Sequence, residues 1–180
     1  DIQEWRSLKN YAEKEMKIDF FSSPFSNKAV ELLNNLKINT FKIASGEVTN
    51  IPLLEKVANV AKKVILSSGM SSWAELDDAV KVLQNSKVKD LIILQCVSEY
   101  PCLPENSGLN VINQIKERYD NVKVGYSDHT IGLAVPIAAV SLGATVIEKH
   151  FTLSKKMYGS DAVNSTEPHD FKILVDEIRK

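Results

Sequence analysis

Two histidines close apolar, β-branched runs, in Ser127-Asp128-His129 and Glu148-Lys149-His150. Imidazole binds divalent ions and titrates near neutrality, so two such rings brought over one opening would hold a cation whose other positions fall to water or substrate oxygens. Such a centre polarises an aldehyde carbonyl. Glu148 or Asp128 would add an oxygen ligand or orient an imidazole from behind. Each histidine alone reads as a hydrogen-bonded structural residue; the chemical reading belongs to the pair.

Serines recur in the same position relative to the apolar runs. Ser22 and Ser23 follow Ile18–Phe21, Ser45 follows Phe41–Ala44, Ser67 and Ser68 follow Val64–Leu66, Ser98 follows Ile92–Val97, and Ser127 follows Val124–Tyr126. One such serine is an ordinary turn or N-cap residue. A set of them with Lys42 suits a phosphate, which accepts several hydrogen bonds and favours positive charge. Lys42 also reads as a rim lysine whose stem snorkels out of a strand. Among carboxylates, Glu47 follows the Ser45-Gly46 turn and Asp161 lies in Gly159-Ser160-Asp161; each reads equally well as a solvated loop charge.

The elements that must position these groups are legible as alternating runs. Strands are expected at Lys17–Ser22, Thr40–Ala44, Lys63–Ser67, Leu91–Cys96, Val122–Tyr126 and Thr145–His150. Helical spacing marks Trp5–Lys14, Lys28–Leu36, Ile51–Ala61, Leu109–Tyr119 and Gly132–Leu142, the last expected to be the best buried. Ser72 with Glu75 predicts a capping box, and Pro168 suits the first turn of a final helix. The βα alternation implies a parallel sheet covered by helices. Two architectures fit: a doubly wound open sheet, or a TIM-type (β/α)₈ barrel represented by about six of its eight units. A chain that opens in a helix feeding the first strand favours the barrel truncated at its N-terminus, since a whole one needs about 250 residues.

The 180 residues predict a single domain over 1–180. A net charge of −1 supplies no broad field for nucleic acid or a membrane surface, leaving a small-molecule partner. No apolar run is long enough to span a bilayer and no leader pattern opens the chain, so a cytoplasmic protein is expected. Cys96 and Cys102 are too few for a disulfide framework, and Cys96 reads as a core thiol.

Five ordered segments carry a resemblance: Phe41-Lys42-Ile43-Ala44-Ser45-Gly46-Glu47, Ile65-Leu66-Ser67-Ser68-Gly69-Met70, Gln95-Cys96-Val97-Ser98-Glu99-Tyr100-Pro101, Gly125-Tyr126-Ser127-Asp128-His129 and Glu148-Lys149-His150-Phe151. They resemble those of the sialic acid synthases and their pseudaminic and legionaminic acid relatives. The resemblance implies a TIM barrel that joins phosphoenolpyruvate to an N-acylated hexosamine aldehyde, giving a nine-carbon 2-keto-3-deoxy acid and phosphate with the help of Mn²⁺ or Mg²⁺. Carried over by position, His129 and His150 match metal ligands. Ser23, Lys42, Ser45, Ser67, Ser98 and Ser127 match phosphoenolpyruvate contacts, with Ser23 standing where Thr is frequent and Ser98 where some members have Asn. Glu47 matches a proton-managing carboxylate near the sugar, and Tyr100 and Asp161 match sugar contacts.

The resemblance further implies a homodimeric full-length protein. Two earlier strands and a C-terminal antifreeze-like domain are not found in these residues, so a fragment with little activity alone is expected. The rivals are a metal-dependent pyruvate aldolase on the same barrel and a non-catalytic, sugar-binding barrel remnant.

Overall fold

The computed structural model describes residues 1–180. Its contacts divide the chain into two compact units, residues 1–66 with 71–91 and residues 67–70 with 92–180.

The first unit opens with helix α1, Ile2–Asn10, capped by the Asp1 carboxylate in a capping box with Glu4 and continued by a π-helical turn, Tyr11–Glu15. The expected strand at Lys17–Ser22 does not form. Lys17 takes a positive φ of 55°, which breaks an extended run at its start. Ile18 is 60% and Phe21 40% exposed, so the run has no layer to bury against. What remains of it is one parallel bridge, Ser22 to Phe41. The structure therefore has five strands where six were expected.

Helix α2, Asn27–Asn35, is capped by Ser26 and buries Val30 and Leu33. Strand β1, Thr40–Ile43, pairs in parallel with β2, Lys63–Ser67, in the register Phe41 to Val64 and Lys42 to Ile65. Helix α3, Ile51–Val60, connects them with Pro52 in its first turn and Asn50 as cap. Helix α4, Trp73–Gln84, has the expected capping box of Ser72 and Glu75 and turns Leu76, Ala79, Val80 and Leu83 inward. These side chains and Phe41, Ile43, Leu54, Val57, Val64 and Leu66 form an apolar core. Each fully buried Leu or Val contributes roughly 1.5–3 kcal/mol relative to exposure.

In the second unit, β3, Asp90–Cys96, pairs in parallel with β4, Lys123–Asp128, and β4 with β5, Ile147–Lys149. Helices α5, Val111–Arg118, α6, Ala134–Ser141, and α7, Pro168–Ile178, follow the strands in alternation. Every pairing is parallel, as the βα alternation predicted. Gly125 permits the close approach of these strands: a Cβ there would lie 2.5 Å from Leu94 Cδ2 and from the Val146 carbonyl oxygen. Helix α6 is not the best buried. It covers Val135, Pro136 and Ala139 while Leu142 just beyond it is exposed, because an apolar helix buries only the face its layer offers.

No helix is long and apolar enough to cross a membrane.

Candidate active site

Strand alternation arranges the site in the second unit. Register pairs Ser127 with Glu148 and Asp128 with Lys149. Successive side chains along a strand face opposite sides. Ser127 and Glu148 thus share one face, where the Ser127 hydroxyl donates to Glu148 Oε1 at 2.7 Å. Asp128 and Lys149 share the other, joined by a buried ion pair.

His129 and His150 follow one residue later on the two strands, and their ring centroids are 5.3 Å apart at an interplanar angle of 67°. Tyr100 lies against both, 4.2 Å from the His129 ring and 5.6 Å from the His150 ring. His129 Nδ1 donates to the Val97 carbonyl at 2.7 Å and lies 3.9 Å from Cys96 Sγ. That bond leaves the lone pair of Nε2, on the neutral ring, to meet a ligand. His150 Nδ1 lies 3.6 Å from Asp161 Oδ2.

The two rings titrate apart. Burial opposes charge on His129, yet hydrogen bonding with Cys96 and the Val97 carbonyl outweighs it and raises the pKa above the ordinary imidazole value. Burial lowers the His150 pKa, the nearby His129 lowers it further, and Asp161 and Glu148 pull the other way. Tyr100 is pushed up by burial and then by Cys96, Asp161 and Glu148, so its phenol stays protonated and able to donate.

Two imidazoles, one with its outer nitrogen freed by a backbone acceptor, fit a divalent ion as a two-point attachment. No group of three or more His, Cys, Asp and Glu side chains is arranged to complete the shell. Asp128, expected as a possible oxygen ligand or imidazole partner, does neither. One carboxylate oxygen accepts from the Thr130 N–H at 3.0 Å and hydroxyl at 2.8 Å, the other from Lys149. Glu148 is on the face that strand alternation gives the imidazoles.

Ser67 is buried at the end of β2, and Ser98 is half-buried two residues beyond β3. In the first unit, Lys42 is buried on β1 and its Nζ donates to the Ile43 carbonyl at 3.1 Å. Ser45 opens the 3-10 turn Ser45–Glu47, where Glu47 Oε2 accepts from Asn50 Nδ2 at 2.7 Å. Ser23 is half-buried just past the Ser22 bridge. Sequence reasoning missed the Val97 carbonyl and the thiol of Cys96 as partners of His129. The signal for Cys96 was its place at the end of a buried strand next to the one that carries His129.

A family model described as the NeuB family matches residues 1–180. The chain belongs to the NeuB family. It is 43% identical over 182 residues to the N,N'-diacetyllegionaminic acid synthase of Campylobacter jejuni, covering 100% of this chain and 54% of that protein. With the pseudaminic acid synthase of Helicobacter pylori it shares 40% identity over 177 residues, covering 98% of this chain and 52% of the relative. Among solved structures, the N-acetylneuraminic acid (sialic acid) synthetase of Leptospira borgpetersenii, crystallised with citrate, superposes with a TM-score of 0.94 at 36% identity, covering 99% of this chain and 62% of that one. This NeuB chain therefore spans about half the length of the curated relatives it matches.

Proposed function

We propose that the chain carries part of the TIM-type barrel of a synthase that condenses phosphoenolpyruvate with an N-acylated hexosamine, giving a nine-carbon 2-keto-3-deoxy sugar acid and phosphate. The observation that carries the reading is the face-sharing pair His129 and His150, ring centroids 5.3 Å apart at the ends of neighbouring parallel strands, with Tyr100 against both. Relatives named for sialic-type acid synthesis along nearly the whole chain support it.

A divalent ion, Mn²⁺ or Mg²⁺, held by His129 and His150 would supply Lewis acidity at the sugar aldehyde. The chain's own groups do the rest. Ser23, Lys42, Ser45, Ser67 and Ser98 bind the phosphate and carboxylate of phosphoenolpyruvate through hydroxyl and ammonium donors, and Ser127 joins them when its hydroxyl turns from Glu148 to the substrate. Tyr100 and Asp161 orient the sugar through its hydroxyls and acyl group. The enol C3 forms the new bond to the aldehyde carbon, whose oxygen takes up a proton. Water adds at C2, and Glu47 accepts its proton. The hydroxyl on the tetrahedral carbon then gives its proton to the departing phosphate as the bond from C2 to the phosphate oxygen breaks, leaving the ketone and inorganic phosphate. The full-length protein is proposed to act as a homodimer in the cytoplasm.

The test is a phosphate assay on the full-length protein with Mn²⁺, phosphoenolpyruvate and N-acetylmannosamine or a related N-acyl hexosamine. Inorganic phosphate should appear one for one with sugar consumed, and only when both substrates are present. Carbon–carbon bond formation from pyruvate without phosphate would make the protein an aldolase; sugar binding without turnover would make it a binding module.

A further inference from the structure

Asp128 and Lys149 sit behind the imidazole pair and have no part in the chemistry proposed above. Their side chains are 0% and 3% exposed. The Asp128 carboxylate binds the N–H and hydroxyl of Thr130, at 3.0 and 2.8 Å, and pairs with Lys149. The Lys149 ammonium in turn donates to the Thr130 carbonyl at 2.8 Å.

This closed network brackets His129, held between residues 128 and 130, and ends on the residue that precedes His150. Two backbone bonds tether the imidazole residues from outside it: the Cys102 N–H donates to the His129 carbonyl at 3.0 Å and the Thr166 N–H to the His150 carbonyl at 2.7 Å. The ion pair joins β4 to β5 on the face opposite the Ser127–Glu148 hydrogen bond, beside the backbone ladder that pairs the two strands.

We propose that Asp128 and Lys149 form a positioning pair that fixes the spacing and orientation of the His129 and His150 imidazoles, a role that rests on the reading of those rings as one site. Stability alone is a poor account of the pair. Desolvating two charges offsets most of their attraction, and apolar groups of the same volume often do as well or better. A carboxylate with three donors and an ammonium directed at a carbonyl instead hold one geometry, since each bond is directional and water cannot compete. A strand that slid or twisted here would move one ring against the other.

The experiment uses the full-length protein and reads Mn²⁺ affinity by electron paramagnetic resonance, ring-to-ring nuclear Overhauser contacts between the imidazoles without metal, and melting temperature. The double variant Asp128→Leu with Lys149→Met removes both charges together and leaves neither stranded. It should melt close to the parent, bind Mn²⁺ at least tenfold more weakly, as outer-shell substitutions do at metal sites, and lose the ring-to-ring contact. Lys149→Arg, which keeps the pair, should retain both. A folded double variant with parental affinity and contact overturns the proposal. If the double variant does not fold, the near-isosteric Thr130→Val decides: a smaller loss in the same two readouts supports the pair, and none refutes it. A parent that binds no Mn²⁺ sinks the metal reading, and the ring contact then judges the pair by itself.

Discussion

His129 Nδ1 donates to the carbonyl oxygen of Val97 at 2.7 Å, so the one ring nitrogen left to meet a ligand is Nε2. A carbonyl cannot donate, which settles the proton on Nδ1 without reference to any bound group. The ring is thereby held in the tautomer that a metal ligand or a substrate oxygen needs on its open side.

His129→Ala and His150→Ala should each weaken Mn²⁺ binding by well over tenfold and abolish metal-dependent turnover in the full-length protein. The loss exceeds that of an outer-shell change, about 10–100-fold, because a ligand atom itself is removed. Calorimetric titration with Mn²⁺ reads it, and parental affinity in either variant removes the metal assignment.

Metal affinity should fall as the pH falls, in two stages. His129 has its pKa raised above the ordinary 6.5, so a proton competes for that ring already above pH 6.5. His150 has its pKa lowered from 6.5, so it is neutral at pH 7 and competes only below 6.5. The apparent binding constant should drop by up to about tenfold per pH unit once below the His129 value, and more steeply below that of His150. Resonance titrations at several pH values measure the slope. A constant independent of pH between 6 and 8 contradicts the assignment.

Ser127→Ala removes the hydroxyl that donates to Glu148 and is assigned to phosphoenolpyruvate. The expected result is a raised KM for phosphoenolpyruvate with little change in that for the sugar, on the order of tenfold for one lost hydrogen bond to a charged group. Steady-state kinetics with each substrate varied in turn distinguish this from a general loss.

Gly125→Ala should destabilise the fold by roughly 1–3 kcal/mol, the usual range for an overpacked interior. The new methyl would meet both a side chain and the backbone at 2.5 Å, and the carbonyl of Val146 belongs to the segment leading into β5. Denaturant unfolding reads the loss; stability equal to the parent would mean that the strands can separate at no cost.

Much of this protein is written locally. The parallel βα order, the capping box of Ser72 with Glu75, and the placement of His129 and His150 just past strand ends all follow from residue type and spacing, because caps and strand periodicity are short-range properties. Tertiary structure decided the rest. The run at Lys17–Ser22 has the composition of a strand but no layer to cover Ile18 and Phe21, and a strand exists only with a partner. Asp128 looked equally able to serve an imidazole or a cation until the register with Lys149 turned it to the opposite face. The meeting of two rings 5.3 Å apart depends on that same register, which pairs residues some twenty positions apart and which no local preference can set.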